Sequence, residues 1–128
     1  MIEVRRYQLP GGGVPLSDWL ADLRDARVRA KLEIRFRRVS AGIFGDLKPV
    51  GEGVLELREH VGPGYRVYAG RHGTALVILL CGGDKRTQEA DISRAKEYWL
   101  DWKRVRRMRR TGSPRGVPRI DGEQATPA

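Results

Sequence analysis

Cysteine occurs once in this 128-residue chain, at Cys81, and histidine twice, at His60 and His72. A single cysteine excludes an internal disulfide, and one thiol with two histidines far apart in sequence is too few ligands for a structural zinc site. Both histidines fall in or near turn-forming stretches and are expected as surface turn residues. Cys81 closes an apolar run and is expected as a small buried hydrophobe. Long apolar runs are missing too: the longest, Ala75 to Cys81, is far short of a membrane span. Arg5 and Arg6 are followed by Leu9-Pro10-Gly11 instead of an apolar secretory segment, so export is not expected and a reducing cytoplasm is. There is no Walker-type phosphate loop. Gly51-Glu52-Gly53 lacks the third glycine of a dinucleotide fingerprint and opens onto a strand pattern. No Ser/His/Asp arrangement is suggested by spacing, there is no internal repeat, and neither metal nor cofactor is implied.

Positive charge is abundant. The formal net charge is +9 and the pI about 10.4, which points to an anionic partner, nucleic acid or an acidic protein. Its distribution is uneven: residues 1–102 hold 17 basic and 14 acidic side chains, whereas residues 103–128 hold 8 and 2. Two thirds of the excess therefore lies in the last fifth of the chain, and the body is only mildly basic. The length suits one domain. We divide it into a folded domain over 1–107 and a basic tail over 108–128, which is poor in apolar residues, carries Pro114, Pro118 and Pro127, and is expected to be disordered.

Along the chain, Ile2 to Tyr7 begins with apolar–polar alternation and reads as a short half-buried strand ended by Pro10-Gly11-Gly12-Gly13. Leu16, Trp19, Leu20 and Leu23 then recur at helical spacing, and Val28, Leu32, Phe36 and Val39 do the same after a junction near Asp25. The junction is short enough to predict an antiparallel helix pair. Arg24, Arg27, Arg29, Lys31, Arg35, Arg37 and Arg38 occupy its other faces, as a solvated surface or as a contact surface for an acidic partner or RNA. Gly45 to Gly51 is a loop or edge segment, because Pro49 removes a ladder donor. Val54 to Arg58 alternates, with Val54, Glu56 and Arg58 on one face. After the Gly62-Pro63-Gly64 turn, Tyr65, Val67 and Ala69 alternate with Arg66 and Tyr68. Ala75 to Cys81 reads as a central strand covered on both faces, with antiparallel neighbours. Ile92, Ala95, Trp99, Trp102 and Val105 form the stripe of a final helix, with Thr87 as its expected N-cap.

With those exclusions made, the chemistry left to this sequence is cationic. Lys48, Arg58, Arg66, Lys85 and Arg86 fall in or at the ends of the sheet elements. If the two alternating strands pair as a hairpin, Glu56, Arg58, Arg66 and Tyr68 share one face. Arginines beside a tyrosine suit a phosphate backbone with a stacked base. Fixed cations also stabilise the charge of a pentavalent phosphorane without a metal, the 2′-OH of RNA supplying the nucleophile. The alternative is ordinary surface salt bridging, such as Glu56 with Arg66.

The motifs Gly45-Asp46-x-Lys48-x-Val50-Gly51-x-Gly53-Val54-x-Glu56-Leu57-Arg58, Gly62-Pro63-Gly64-Tyr65-Arg66-Val67-Tyr68 and Gly82-Gly83-Asp84-Lys85-x-Thr87-Gln88-x-x-Asp91-Ile92, preceded by Trp19-Leu20 and Asp25-Ala26-Arg27, closely resemble the HigB-like addiction-module killer proteins. These belong to the RelE/ParE superfamily of toxins in bacterial type II toxin–antitoxin systems. The resemblance runs collinearly over about residues 1–103. It implies an α/β (α+β), RelE-like fold: a small, mainly antiparallel sheet with an N-terminal helical pair and a C-terminal helix. It implies a ribosome-dependent mRNA endoribonuclease that needs no metal or cofactor. It also implies two partners, an antitoxin with a helix-turn-helix DNA-binding fold and the mRNA on the ribosome.

By the same resemblance Arg66 matches the arginine on the scissile phosphate, and Lys85 the second catalytic basic residue after the central strand. Arg58 matches a basic strand position, and Lys48 is the lysine of the Gly-Asp-x-Lys motif. Arg86 and Tyr68 are the expected RNA contacts. Two strand lysines of RelE fall here on Val54 and Glu56, and its C-terminal tyrosine is unmatched, the nearby residues being Ala90 and Asp91. Two alternatives keep the fold: a ParE-like inhibitor of gyrase, and a non-catalytic partner of the antitoxin in operon autoregulation.

Overall fold

The apolar run becomes the inner strand of a five-stranded sheet. In the computed structural model, which describes residues 1–110, the elements are β1 (Glu3–Arg6), α1 (Pro15–Asp22), α2 (Ala26–Ser40), β2 (Leu47–Gly51), β3 (Val54–Glu59), β4 (Tyr65–His72), β5 (Leu76–Asp84) and α3 (Gln88–Arg110). A 3₁₀ turn, Lys85–Thr87, joins β5 to α3. The sheet order is β1-β5-β4-β3-β2, antiparallel throughout except for the parallel pair β1 and β5. That parallel pair is explained by the two helices between β1 and β2, which carry the chain back across the sheet.

Two apolar layers cover the sheet. On one face Leu16, Leu20, Val28, Leu32, Phe36 and Val39 of α1 and α2 meet Leu57, Val67, Ala69, Val77 and Leu79. On the other, Ala95 and Trp99 of α3 meet Val54, Tyr68, Ile78, Leu80 and Cys81. The two tryptophans nearest the sheet need glycine beneath them. A Cβ on Gly82 would stand 2.3 Å from the Trp19 ring, and one on Gly70 2.3 Å from the Trp99 ring. The glycines at the end of β5 are thus seats for the helices as well as part of a turn.

The register between β4 and β5 shifts after Tyr68, which pairs with Cys81 while Ala69 pairs with Leu79. This bulge places both Leu80 and Cys81 on the α3 side and turns Gly83 to face α3, where a Cβ would lie 1.8 Å from Asp91 Oδ2. Pro49 lies in β2, the outer strand of the sheet, as its missing donor requires.

Several sequence expectations change. Arg35 is not solvated: it is 8 % exposed, and its guanidinium donates to the carbonyls of Phe44 (2.9 Å), Asp46 (2.8 Å) and Arg58 (2.7 Å) while pairing with Glu59. Arg35 stands seven residues after Val28 and four before Val39, on the buried side of α2, and the loop after α2 together with β3 supplies the carbonyls that its charge needs there. Thr87 does not cap α3 by accepting from backbone; its hydroxyl donates to Asp91 Oδ2 at 2.5 Å, and Asp84 caps the 3₁₀ turn instead. His72 is half-buried at the end of β4, edge-on to Trp102 at 5.4 Å, while His60 is exposed as expected. The helix α3 continues to Arg110, so Met108 to Arg110 are helical. The remainder of the expected tail, 111–128, lies outside the described residues. No helix among the described residues is long and apolar enough to cross a membrane.

Candidate functional site: a buried glutamate under two arginines

Glu56 is the middle residue of the site. In β3 it pairs across one edge with Lys48 of β2 and across the other with Tyr68 of β4, and Arg58 pairs with Arg66 in the next row of the same face. Strand alternation therefore puts Lys48, Glu56, Arg58, Arg66 and Tyr68 on the α3 side of the sheet. The shared face expected for Glu56, Arg58, Arg66 and Tyr68 is what the register builds.

The Glu56 side chain is fully buried. Its Oε2 accepts from the Tyr68 hydroxyl at 3.0 Å and from the Gln88 amide, at the start of α3, at 2.9 Å. Arg66 Nε stands 3.4 Å from Oε2, and Arg58 Nε 4.0 Å from Oε1. These are charge contacts without hydrogen-bond alignment, and Glu56 Oε1, Arg58 Nε and Arg66 Nε are all buried with no hydrogen-bond partner. The guanidiniums are thus attracted to a fixed carboxylate without being consumed by it. Arg66 is 14 % exposed and Arg58 32 %. Arg58 also reaches Asp46 Oδ1 at 3.3 Å. Asp46 in turn accepts from His60, and that hydrogen bond together with Arg58 holds its carboxyl below the usual carboxylate value.

The other expected residues fall at different depths. Lys48 is exposed on β2 opposite Glu56, whereas Lys85 is exposed in the 3₁₀ turn, two residues past Gly83, the β5 partner of Arg66. Arg86 is exposed but held by Asp84, whose carboxylate lies 2.9 Å from the guanidinium and also accepts the Arg86 backbone N–H. Arg86 correspondingly lowers the Asp84 pKa. Tyr68 departs furthest from expectation: it has no exposed surface, and its hydroxyl is spent on Glu56. Burial first, and then the Glu56 charge, push its pKa well above the ordinary tyrosine value. It is a support inside the site, with no ring face for an RNA base. Cys81 is buried as expected, its thiol pushed up to about 12 mainly by that burial.

Neither Glu56 nor Gln88 stands out as a site residue in the sequence. A charged residue alternating with apolar ones on a strand looks solvent-facing, and nothing local says that a helix starting 32 residues later carries a glutamine over it. The one available sign is the cross-strand pairing with Tyr68, which calls for a polar partner if buried. Among the described residues no cluster of three metal ligands occurs.

No family model matches the chain. An uncharacterized protein of Haemophilus influenzae is 51% identical to it over 78 residues, which covers 61% of this chain and 79% of that relative.

Proposed function

The chain belongs to one family with that Haemophilus influenzae protein, and we propose that it is the toxin of a type II toxin–antitoxin system: a ribosome-dependent, metal-independent mRNA endoribonuclease of the RelE-like fold, working in the cytoplasm. The supporting observation is the pair of guanidiniums of Arg58 and Arg66, prepositioned on a buried carboxylate with the exposed Lys48 on the neighbouring strand. Cations fixed in place before substrate arrives stabilise developing charge without reorganisation, which is the larger part of phosphoryl-transfer catalysis by a protein alone.

In this reading Arg66 and Arg58 bind the scissile phosphate and Lys48 neutralises the strand beside it. The 2′-OH attacks phosphorus and gives its proton to water. The P–O5′ bond breaks, and the Lys85 ammonium protonates the leaving oxygen. Glu56, Tyr68 and Gln88 are positioning residues that hold the guanidiniums. The partners are mRNA on the ribosome and a helix-turn-helix antitoxin that neutralises the protein.

The test is induction of wild type, Arg66→Ala and Lys85→Ala in a host lacking the antitoxin, with growth and primer extension of translated mRNA as readouts. Growth arrest with mapped cuts is expected from wild type and its loss from both variants. Equal arrest by all three would remove these residues from the mechanism. Arrest with intact transcripts and accumulated gyrase–DNA cleavage complexes would replace RNA cleavage by gyrase inhibition.

A further inference from the structure

A second surface lies at the opposite end of α3. Between Gln88, which reaches Glu56, and Trp102 the helix rises about 21 Å. There a groove of about 720 Å³ runs between β1, with the residues that continue it to Pro10, and the last turns of α3. Ile78 and Val105 line it, and Arg5, Arg106 and Arg109 supply positive charge. Asp101, also in the lining, is engaged by the Tyr7 hydroxyl at 2.6 Å, and Arg5 makes an exposed pair with Glu3. Arg106 Nε is buried with no hydrogen-bond partner.

One wall of this groove is an open sheet edge. Among the described residues β1 pairs with β5 alone. Glu3 and Tyr7 donate their N–H groups to Ala75 and Leu79 of the β5 side. By strand alternation the N–H groups of Val4 and Arg6 are directed away from β5, toward the open edge. An unpaired row of this kind is a template for another strand.

The aromatic rings decide between two anionic occupants. A single-stranded nucleic acid would need a ring face on which to stack a base. Trp102 stacks on Trp99 at 5.1 Å and carries the Arg106 guanidinium 5.4 Å from its centroid. Tyr7 is stacked on Tyr98 at 4.8 Å. The rings are used, whereas the backbone row is free, and only a peptide has donors and acceptors at the spacing that row requires.

We infer that this groove is a peptide-docking site: an extended acidic segment of a partner protein adds to β1 as a sixth strand, its carboxylates alternating toward Arg5, Arg106 and Arg109. The inference goes beyond the RNA-cleavage reading and stands whether or not the chain cuts RNA, because its readout is binding.

The test uses the full chain and fluorescence anisotropy with a labelled peptide of about eight alternating Glu and Val residues, long enough at about 3.3 Å per residue to span the groove. Saturable binding is expected, with slowed amide exchange at Val4 and Arg6, while a Lys–Val peptide does not bind. N-methylation of one alternate set of peptide amides is expected to abolish binding and of the other set to leave it. Arg106→Glu and Arg109→Glu are each expected to weaken binding by about tenfold or more, with the effect reduced at high salt. Arg109→Glu carries the test if Arg106→Glu, which takes the cation from over Trp102, does not fold. Absence of binding, indifference to both N-methyl sets, indifference to the charge reversals, or displacement of the peptide by labelled oligouridine with the same variant dependence would overturn the inference.

Discussion

A carboxylate taken fully out of water is unfavourable by several kcal/mol unless its surroundings compensate. Glu56 is compensated by a hydroxyl, an amide and two guanidiniums, and three of the atoms in this cluster still lack hydrogen bonds. Under-satisfied buried polar groups of this kind concentrate where a site is built to meet a ligand. The arrangement separates two kinds of residue that the sequence presents alike. Arg66 offers part of its side chain to solvent, whereas Tyr68 offers none. Tyr68→Phe is therefore expected to lower stability by about 2 kcal/mol, the cost of removing one hydrogen bond from a buried charge, read as a reduced urea midpoint. On the proposed RNA-cleaving reading, growth arrest by the induced variant is expected to persist, because Gln88 still holds the Glu56 carboxylate. Abolished arrest with normal stability would show instead that the Tyr68–Glu56 hydrogen bond sets the guanidiniums for the reaction.

At the scale of elements, glycine positions decide how closely the helices approach the sheet. Gly70 of β4 and Gly82 of β5 each stand under an indole, on opposite faces of the sheet. Gly70→Ala would push its methyl into the Trp99 ring at 2.3 Å and displace α3, the element that carries Gln88 to Glu56. We expect destabilisation by about 1–3 kcal/mol, measured by thermal or urea unfolding. Trp99→Leu in the same chain is expected to recover part of it. A neutral Gly70→Ala would mean that α3 is not held by that packing. Period and alternation are enough to place β3, β4, β5 and α3 and the shared face of Glu56, Arg58, Arg66 and Tyr68. Three things are not legible locally. The burial of Glu56 depends on Gln88, the burial of Arg35 on carbonyls of the loop that follows its helix, and the parallel pairing of β1 on the path of two helices. The first and last join segments distant in sequence, the Arg35 case turns on how one loop folds back, and a glycine under a tryptophan looks like any other glycine.

At the scale of the molecule, the charge excess sits on a helix and not on the expected tail. Lys103, Arg104, Arg106, Arg107, Arg109 and Arg110 all belong to α3, with no acid among residues 103–110, while 111–128 contain Arg115 and Arg119 against Asp121 and Glu123. The last eight residues of α3 thus account for +6 of the net +9, and the segment after them for none. Cations at a helix C-terminus are favoured by the helix dipole, so sequence and local structure agree on this placement. Removing residues 111–128 is expected to leave affinity for an anionic surface unchanged, measured as the salt midpoint of elution from heparin. The slope of log affinity for oligouridine against log salt is expected to be unchanged as well. Arg104→Ala with Arg107→Ala, two exposed side chains of the same helix, is expected to lower both, the slope by about one for each phosphate no longer neutralised. A truncation that lowers the slope while the helix variants leave it unaltered would put the anion-binding charge back in the segment after α3.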